Sequence, residues 1–311
     1  VDRAIIDCDP GHDDMMAIFV GLAAKQCDLL GVTTVAGNQI GEKTYTNALK
    51  VLTLAERTDV PVSRGCDVPL FRPLTVAPDI HGVSGLDGAQ LPEPRFSGTG
   101  SHAVDFLANT LRDAAEPITL VPTGPLTNIG LLFRKHPELL AKVSEVILMG
   151  GAVYESNVTP AAEFNIYVDP EAAHIVFSSG VPITMVGLDV TNRALLDFAD
   201  IDRIEQMGGR VSGVVAPLLR FFASAYEEHF GIAGAPLHDA LAMALVSDRT
   251  LVETRKLRVD VETGGELTRG QTVTDIHAVT GKQPNAEVAL EVDVDGFKKV
   301  IFDTIRLMDS Q

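Results

Sequence analysis

The sequence predicts an α/β fold: an open, mostly parallel central sheet with helices on both faces, extended by a C-terminal part rich in strand and closed by a helix. Three observations carry this expectation. Apolar runs of strand length alternate with segments of helical period along most of the chain. The conspicuous polar residues fall where strands end, the side of an open parallel sheet on which ligands bind. No linker, internal repeat or low-complexity tract interrupts the pattern, so residues 1–311 are expected to form one domain.

Residues 3–7, around Ala4-Ile5-Ile6, read as a buried first strand. Residues 12–25 follow as a helix, because Met15, Met16, Phe19, Leu22 and Ala23 recur at helical spacing and define one core-facing side. Residues 29–36 are a second strand, 44–57 a second helix and 61–64 a short third strand. The stretch 67–100 is rich in Pro and Gly and longer than a passive connection needs, so it is expected to be functional or mobile. The alternation resumes with a helix at 102–114, a strand at 118–122, a helix at 126–135 and a strand at 143–149. Residues 183–188 are expected to be the last parallel strand. Beyond them, 214–230 and 237–246 read as helices, 257–261, 272–279 and 288–294 as strands with scope for antiparallel pairing, and 297–307 as the closing helix.

Composition narrows the function classes. Apolar residues at 46% and charged ones at 22% supply a large core and argue against disorder. A formal net charge of -17 disfavours binding to nucleic acid or an anionic membrane, which calls for a basic patch. Cys8, Cys27 and Cys66 are odd in number and irregularly spaced, which suits a reducing compartment rather than a disulfide framework. No stretch resembles a signal peptide or a bilayer-spanning run, so a cytoplasmic protein is expected.

The chemistry is concentrated in Asp7-Cys8-Asp9-Pro10-Gly11-His12-Asp13-Asp14, where four carboxylates crowd the junction of first strand and first helix. Buried carboxylates at this density need a cation, and oxygen-only donors suit a hard ion such as calcium or magnesium. Helix capping alone would account for one or two of the acids, since the first turn of a helix favours anions. An EF-hand is excluded by spacing: with Asp7 in its first position, the turn glycine would fall on His12 and the bidentate Glu on Ile18. Asp7-Cys8-Asp9 also resembles the Asp-x-Asp motif of magnesium phosphohydrolases. The residues that follow do not, and Gly187-Leu188-Asp189 lacks the second acid of their late motif.

The eight-residue motif is similar to the N-terminal signature of the inosine-uridine-preferring nucleoside hydrolases, which cleave the N-glycosidic bond of ribonucleosides. The resemblance continues in order through Val35-Ala36-Gly37-Asn38, His81-Gly82, Gly85-Leu86-Asp87-Gly88, Thr123-Gly124-Pro125-Leu126-Thr127-Asn128, Met149-Gly150-Gly151, Ala162-Glu163-Phe164-Asn165 and His238-Asp239. Pro160-Ala161-Ala162-Glu163-Phe164-Asn165, with His81 and His238, most resembles the bacterial pyrimidine-preferring branch.

The resemblance implies a calcium ion held by Asp9, Asp14, Asp239 and the main-chain carbonyl of Thr123, with Asp13 as general base on a water held by that ion. It implies ribose contacts from Asn38, Asn157, Glu163 and Asn165, with Met149 packing beside the sugar. Amides and carboxylates match the donor and acceptor demands of three hydroxyls. A turn opening the helix after Asp169-Pro170 is the plainer reading of Glu163 and Asn165. His238 and His81 are candidates for the proton that the leaving base needs. Tyr226 and Phe230 would face the base, Phe230 standing where that branch often has tyrosine. Phe221 and Phe222 read as ordinary core; His102, His136, His174, His229 and His277 as surface or helix residues; and His12 has no side-chain duty that the sequence supplies. Uridine or cytidine, with inosine also admitted, are the implied substrates, and a homotetramer or dimer the implied assembly. The rivals are a magnesium-dependent sugar-phosphate phosphohydrolase and a nucleoside-binding protein without turnover.

Overall fold

The computed structural model describes residues 1–311. Eleven strands occur in chain order: β1 Asp2–Cys8, β2 Cys27–Thr34, β3 Val62–Arg64, β4 Ile118–Pro122, β5 Val143–Met149, β6 Ile183–Val186, β7 Leu195–Leu196, β8 Ala235–Pro236, β9 Val252–Val261, β10 Thr272–Asp275 and β11 Ala286–Val292. The helices are α1 His12–Ala23, α2 Gly41–Leu54, α3 Pro78–His81, α4 Ala103–Asp113, α5 Thr127–Lys135, α6 Phe164–Val168, α7 Pro170–Phe177, α8 Leu188–Thr191, α9 Phe198–Glu205, α10 Ser212–Phe230, α11 His238–Ala244 and α12 Val294–Asp309, with short 3-10 turns at Pro137–Lys142 and Arg249–Leu251.

Nine strands form one sheet in the order β10-β9-β11-β6-β5-β4-β1-β2-β3, and β7 and β8 pair separately. Strands β1 to β6 thus run 3-2-1-4-5-6, a doubly wound order whose direction of winding reverses between β1 and β4. Successive residues of β1 supply the two sides of the sheet. Ala4, Ile6 and Cys8 join the larger apolar cluster with α1, α2, α10, α11 and α12, while Ile5 joins a second cluster with α4, α5 and α7. Burial on both faces explains why β1 reads as a continuous apolar run rather than an alternation.

The tail differs from expectation. β6 is not the last parallel strand, because β11 pairs with it in parallel, Glu287 opposite Thr184. β9 begins at Val252, earlier than its apolar half suggests, and pairs antiparallel with both β11 and β10. The C-terminal strands therefore extend the central sheet. Thr272 at the start of β10 reaches back to the β5 loop, accepting from Ala152 N–H at 2.9 Å and donating to the Ala152 carbonyl at 2.7 Å through the same hydroxyl. The long 67–100 stretch contains α3 and brings Thr75 to His81 over the carboxyl ends of the strands.

Candidate active site

The reversal point between β1 and β4 leaves a crevice at their carboxyl ends, and the acidic motif enters it directly. β1 delivers Asp9, and the following Pro10-Gly11 turn starts α1 with Asp13 and Asp14 in its first turn. Asp14 does cap the helix, accepting from Gly11 N–H at 3.0 Å. It also accepts from Thr123 Oγ1 at 2.8 Å and Asn38 Nδ2 at 3.2 Å, which ties the ends of β4 and β2 to α1. Asp9 accepts from Asn38 N–H at 2.6 Å through Oδ2, while its Oδ1 is buried without a hydrogen-bond partner. Glycine is required beside it: a Cβ on Gly124 would lie 2.6 Å from Asp9 Oδ1.

Side-chain oxygens of Asp13, Asp14 and Asp239 gather within 4.8 Å of one another, all three residues buried. The gathering does not include Asp9, whose Oδ2 is turned toward Asn38. Asp239 arrives from the first turn of α11, packed against α1 through the larger cluster. Asp13 Oδ1, like Asp9 Oδ1, lacks a partner. Burial first, and neighbouring acids next, push Asp9 and Asp239 well above the usual carboxylate range and Asp13 to about 8; burial also raises Asp14. A buried set of hard oxygen donors, two of them unpartnered and all resisting ionisation in each other's presence, fits a divalent cation.

Above this cluster lies a cleft of about 340 Å³. Its lining contains every candidate residue except Asp9 and Asp14, which lie beneath it. Asn165 donates through Nδ2 to the carbonyls of Thr123 at 2.7 Å and Met149 at 3.2 Å. Glu163 is the N-cap of α6: its carboxylate accepts from the N–H groups of Asn165, Ile166 and Gly151 at 2.9, 3.1 and 2.9 Å. Where the sequence suggested a turn leading into the helix that Asp169-Pro170 opens, Glu163 caps the separate short helix α6 before it, on a side chain that also lines the cleft; three bonds leave a lone-pair direction free. Burial raises its carboxyl to about 7. Asn157 accepts from Phe164 N–H at 2.9 Å, which leaves its amide donors free.

At the other wall, the Tyr226 hydroxyl lies 2.8 Å from His238 Nε2, and His238 Nδ1 lies 2.7 Å from Thr191 Oγ1. Burial lowers His238 to about 3 and raises Tyr226 well above the usual phenol range, so the neutral forms of both are favoured. The rings of Tyr226 and Phe230 are 5.1 Å apart at the mouth, where Phe230 is 40% exposed. His229, expected to be a surface residue, joins this mouth, as do Val76, Ala77 and Ile80 of the long connection. No motif marks those residues; the unusual length of the connection was the available signal. Phe222 is core as expected, whereas Phe221 is 36% exposed and stacks on His12.

Comparison with known proteins decides the class. The chain matches the inosine-uridine preferring nucleoside hydrolase family over residues 4–299. It belongs to that family. It is 50% identical to the pyrimidine-specific ribonucleoside hydrolase RihA of Escherichia coli O9:H4 (strain HS), over 97% of each chain. Among solved structures it resembles a purine-preferring ribonucleoside hydrolase from Gardnerella vaginalis, with a TM-score of 0.93, 32% identity and 99% of both chains covered. It also resembles the plant nucleoside hydrolase PpNRh1, with a TM-score of 0.91, 31% identity and 98% of both chains covered. The protein is therefore a hydrolase acting on the N-glycosyl bond of nucleosides, and the phosphohydrolase and non-catalytic binding readings fall away. No helix is long and apolar enough to cross a membrane.

Proposed function

We propose that the protein is a calcium-dependent, pyrimidine-preferring ribonucleoside hydrolase converting uridine or cytidine and water to ribose and free base. The observation that carries the reading is the gathering of Asp13, Asp14 and Asp239 beneath a cleft of nucleoside size. Half identity to a pyrimidine-specific relative supports the base preference. Asp9, Asp14, Asp239 and the Thr123 carbonyl would hold the ion, an all-oxygen set suited to calcium. When bound, the ion would favour ionisation of the surrounding acids, orient the ribose and acidify a water.

Asp13 then acts as the general base, taking a proton from the water that attacks the anomeric carbon. Its partnerless Oδ1 is the atom available for that transfer. Its carboxylate, beside the sugar, also favours an oxocarbenium-like transition state. Asn38, Asn157, Glu163 and Asn165 orient the ribose hydroxyls, with Met149 against the ring. Because several of these groups are already fixed by backbone contacts, the sugar meets a preorganised surface. Thr191, His238 and Tyr226 form a hydroxyl–imidazole–phenol chain that can pass a proton to the departing base. Phe230 offers the base an apolar face.

A homotetramer or dimer in a reducing cytoplasm completes the reading, the three cysteines being free. Ultraviolet measurement of base release from ribonucleosides and 2′-deoxyribonucleosides tests the assignment. The expected order is uridine and cytidine ahead of inosine, with the deoxy series poor because polar groups would be left unpaired. Faster release from purine ribonucleosides overturns the preference.

A further inference from the structure

His12 is buried inside the acidic motif but points away from the acids. Its Nε2 lies 2.8 Å from the carbonyl of Asp87, and its Nδ1 lies 3.2 Å from Nδ1 of His81. The two imidazoles stack with Phe222: His12 lies 5.2 Å from that ring at an interplanar angle of 8°, and His81 5.3 Å at 26°. Gly11 is what lets the loop approach so closely, since a Cβ there would sit 2.5 Å from His81 Nδ1. The Asp87 carbonyl is itself fixed, because the Asp87 carboxylate accepts from Val83 and Ser84 N–H at 2.9 and 3.0 Å and closes its own turn.

These contacts determine proton positions. A carbonyl only accepts, so His12 Nε2 carries hydrogen, and in the neutral ring Nδ1 is left with a lone pair. The facing Nδ1 of His81 must then be the donor, which leaves His81 Nε2 as an acceptor. The opposite tautomer would keep a 3.4 Å hydrogen bond from His12 N–H to His81 Nδ1, but would forfeit the shorter ring–ring bond and set two ring lone pairs against each other at 3.2 Å. His81 lines the substrate cleft, and Nε2 is its nitrogen without a protein partner.

We infer that His12 is a positioning residue: it locks His81 in the Nδ1–H tautomer, so that His81 accepts a hydrogen bond from an N–H or O–H of the bound nucleoside and does not protonate the leaving base. The tautomer follows from the geometry alone; only its kinetic consequence rests on the hydrolase reading above.

The test is nitrogen NMR of the calcium-loaded protein labelled with ¹⁵N-histidine, the His81 signals being assigned by their loss in His81→Gln. The wild type is expected to show His81 protonated at Nδ1 and bare at Nε2. His12→Phe keeps a ring in the stack but removes the acceptor, and should release His81 toward the Nε2–H form and lower kcat/KM for uridine by about tenfold or more. His12→Asn, with an oxygen near the Nδ1 position, should restore both the tautomer and most of the rate. An Nε2–H His81 in the wild type overturns the inference, as does a tautomer that His12→Phe leaves unchanged. Should the wild type release no base from any nucleoside, the hydrolase reading fails while the NMR still decides the tautomer.

Discussion

Asn165 donates its side-chain amide to the Thr123 carbonyl at 2.7 Å, engaging one lone pair of the oxygen proposed to face the ion. The second lone pair stays free, and the bond fixes its direction. Orienting contacts of this kind typically change metal affinity by about 10- to 100-fold. Asn165→Ala should therefore weaken calcium binding by about that factor in isothermal titration, beyond any effect on KM. Unaltered calcium affinity would separate Asn165 from the ion.

Asp9 and Asp13 are proposed to divide two duties that the gathered oxygens alone do not distinguish. Asp9→Asn should lower calcium affinity and, through it, activity. Asp13→Asn should retain an ion, held by the remaining donors, while turnover falls by at least ~10². If calcium titration shows Asp13→Asn to be the weaker binder of the two, the assignments exchange.

The 2.8 Å contact between Tyr226 and His238 places a phenol on the proposed proton route to the base. Tyr226→Phe is expected to slow uridine hydrolysis by ~10² or more. It should have little effect on a riboside such as p-nitrophenyl riboside, whose leaving group departs as a stable anion. An equal loss on both substrates would instead assign Tyr226 to sugar binding or packing.

Asp7 makes a pH-dependent contribution of defined sign. Burial raises its carboxyl to about 6 despite hydrogen bonds from Thr33 and Asn128. The folded state therefore holds this proton more tightly than the unfolded chain. The resulting stability is fully present below pH ~4 and is lost as pH rises to about 6, by on the order of 3 kcal/mol. In Asp7→Asn that component disappears. Urea unfolding of wild type and variant across this range should give a stability difference that changes with pH up to about 6 and then levels off. A pH-independent difference would show Asp7 ionising normally in the fold.

Legibility in the sequence followed the physics of each segment. β1 was readable because both faces are covered, making Ala4-Ile5-Ile6 continuously apolar, and α1 because its apolar residues recur at helical spacing, although the structure buries all of residues 12–21 rather than the single side expected. The first half of β9 was not, because Glu253-Thr254-Arg255-Lys256 is exposed and carries no apolar signal despite its sheet pairing. Motif residues such as Asn38, Thr123 and Asp239 were named from the sequence and do come together. His12 was visible but mute, since its partners, the Asp87 carbonyl and the His81 ring, are brought to it only by the path of the long connection. His229 and Ile80 reach the cleft through similar tertiary accidents of position.

The Thr272 hydroxyl grips the main chain of Ala152 from both sides, next to Gly151, whose N–H is held by Glu163. The C-terminal strands thus act as a buttress for a glycine corner at the rim of the proposed active site. A proteolytic nick between β9 and β10, in a segment that supplies no residue to the cleft, would loosen the proposed seat of the sugar before it unfolded the sheet behind it.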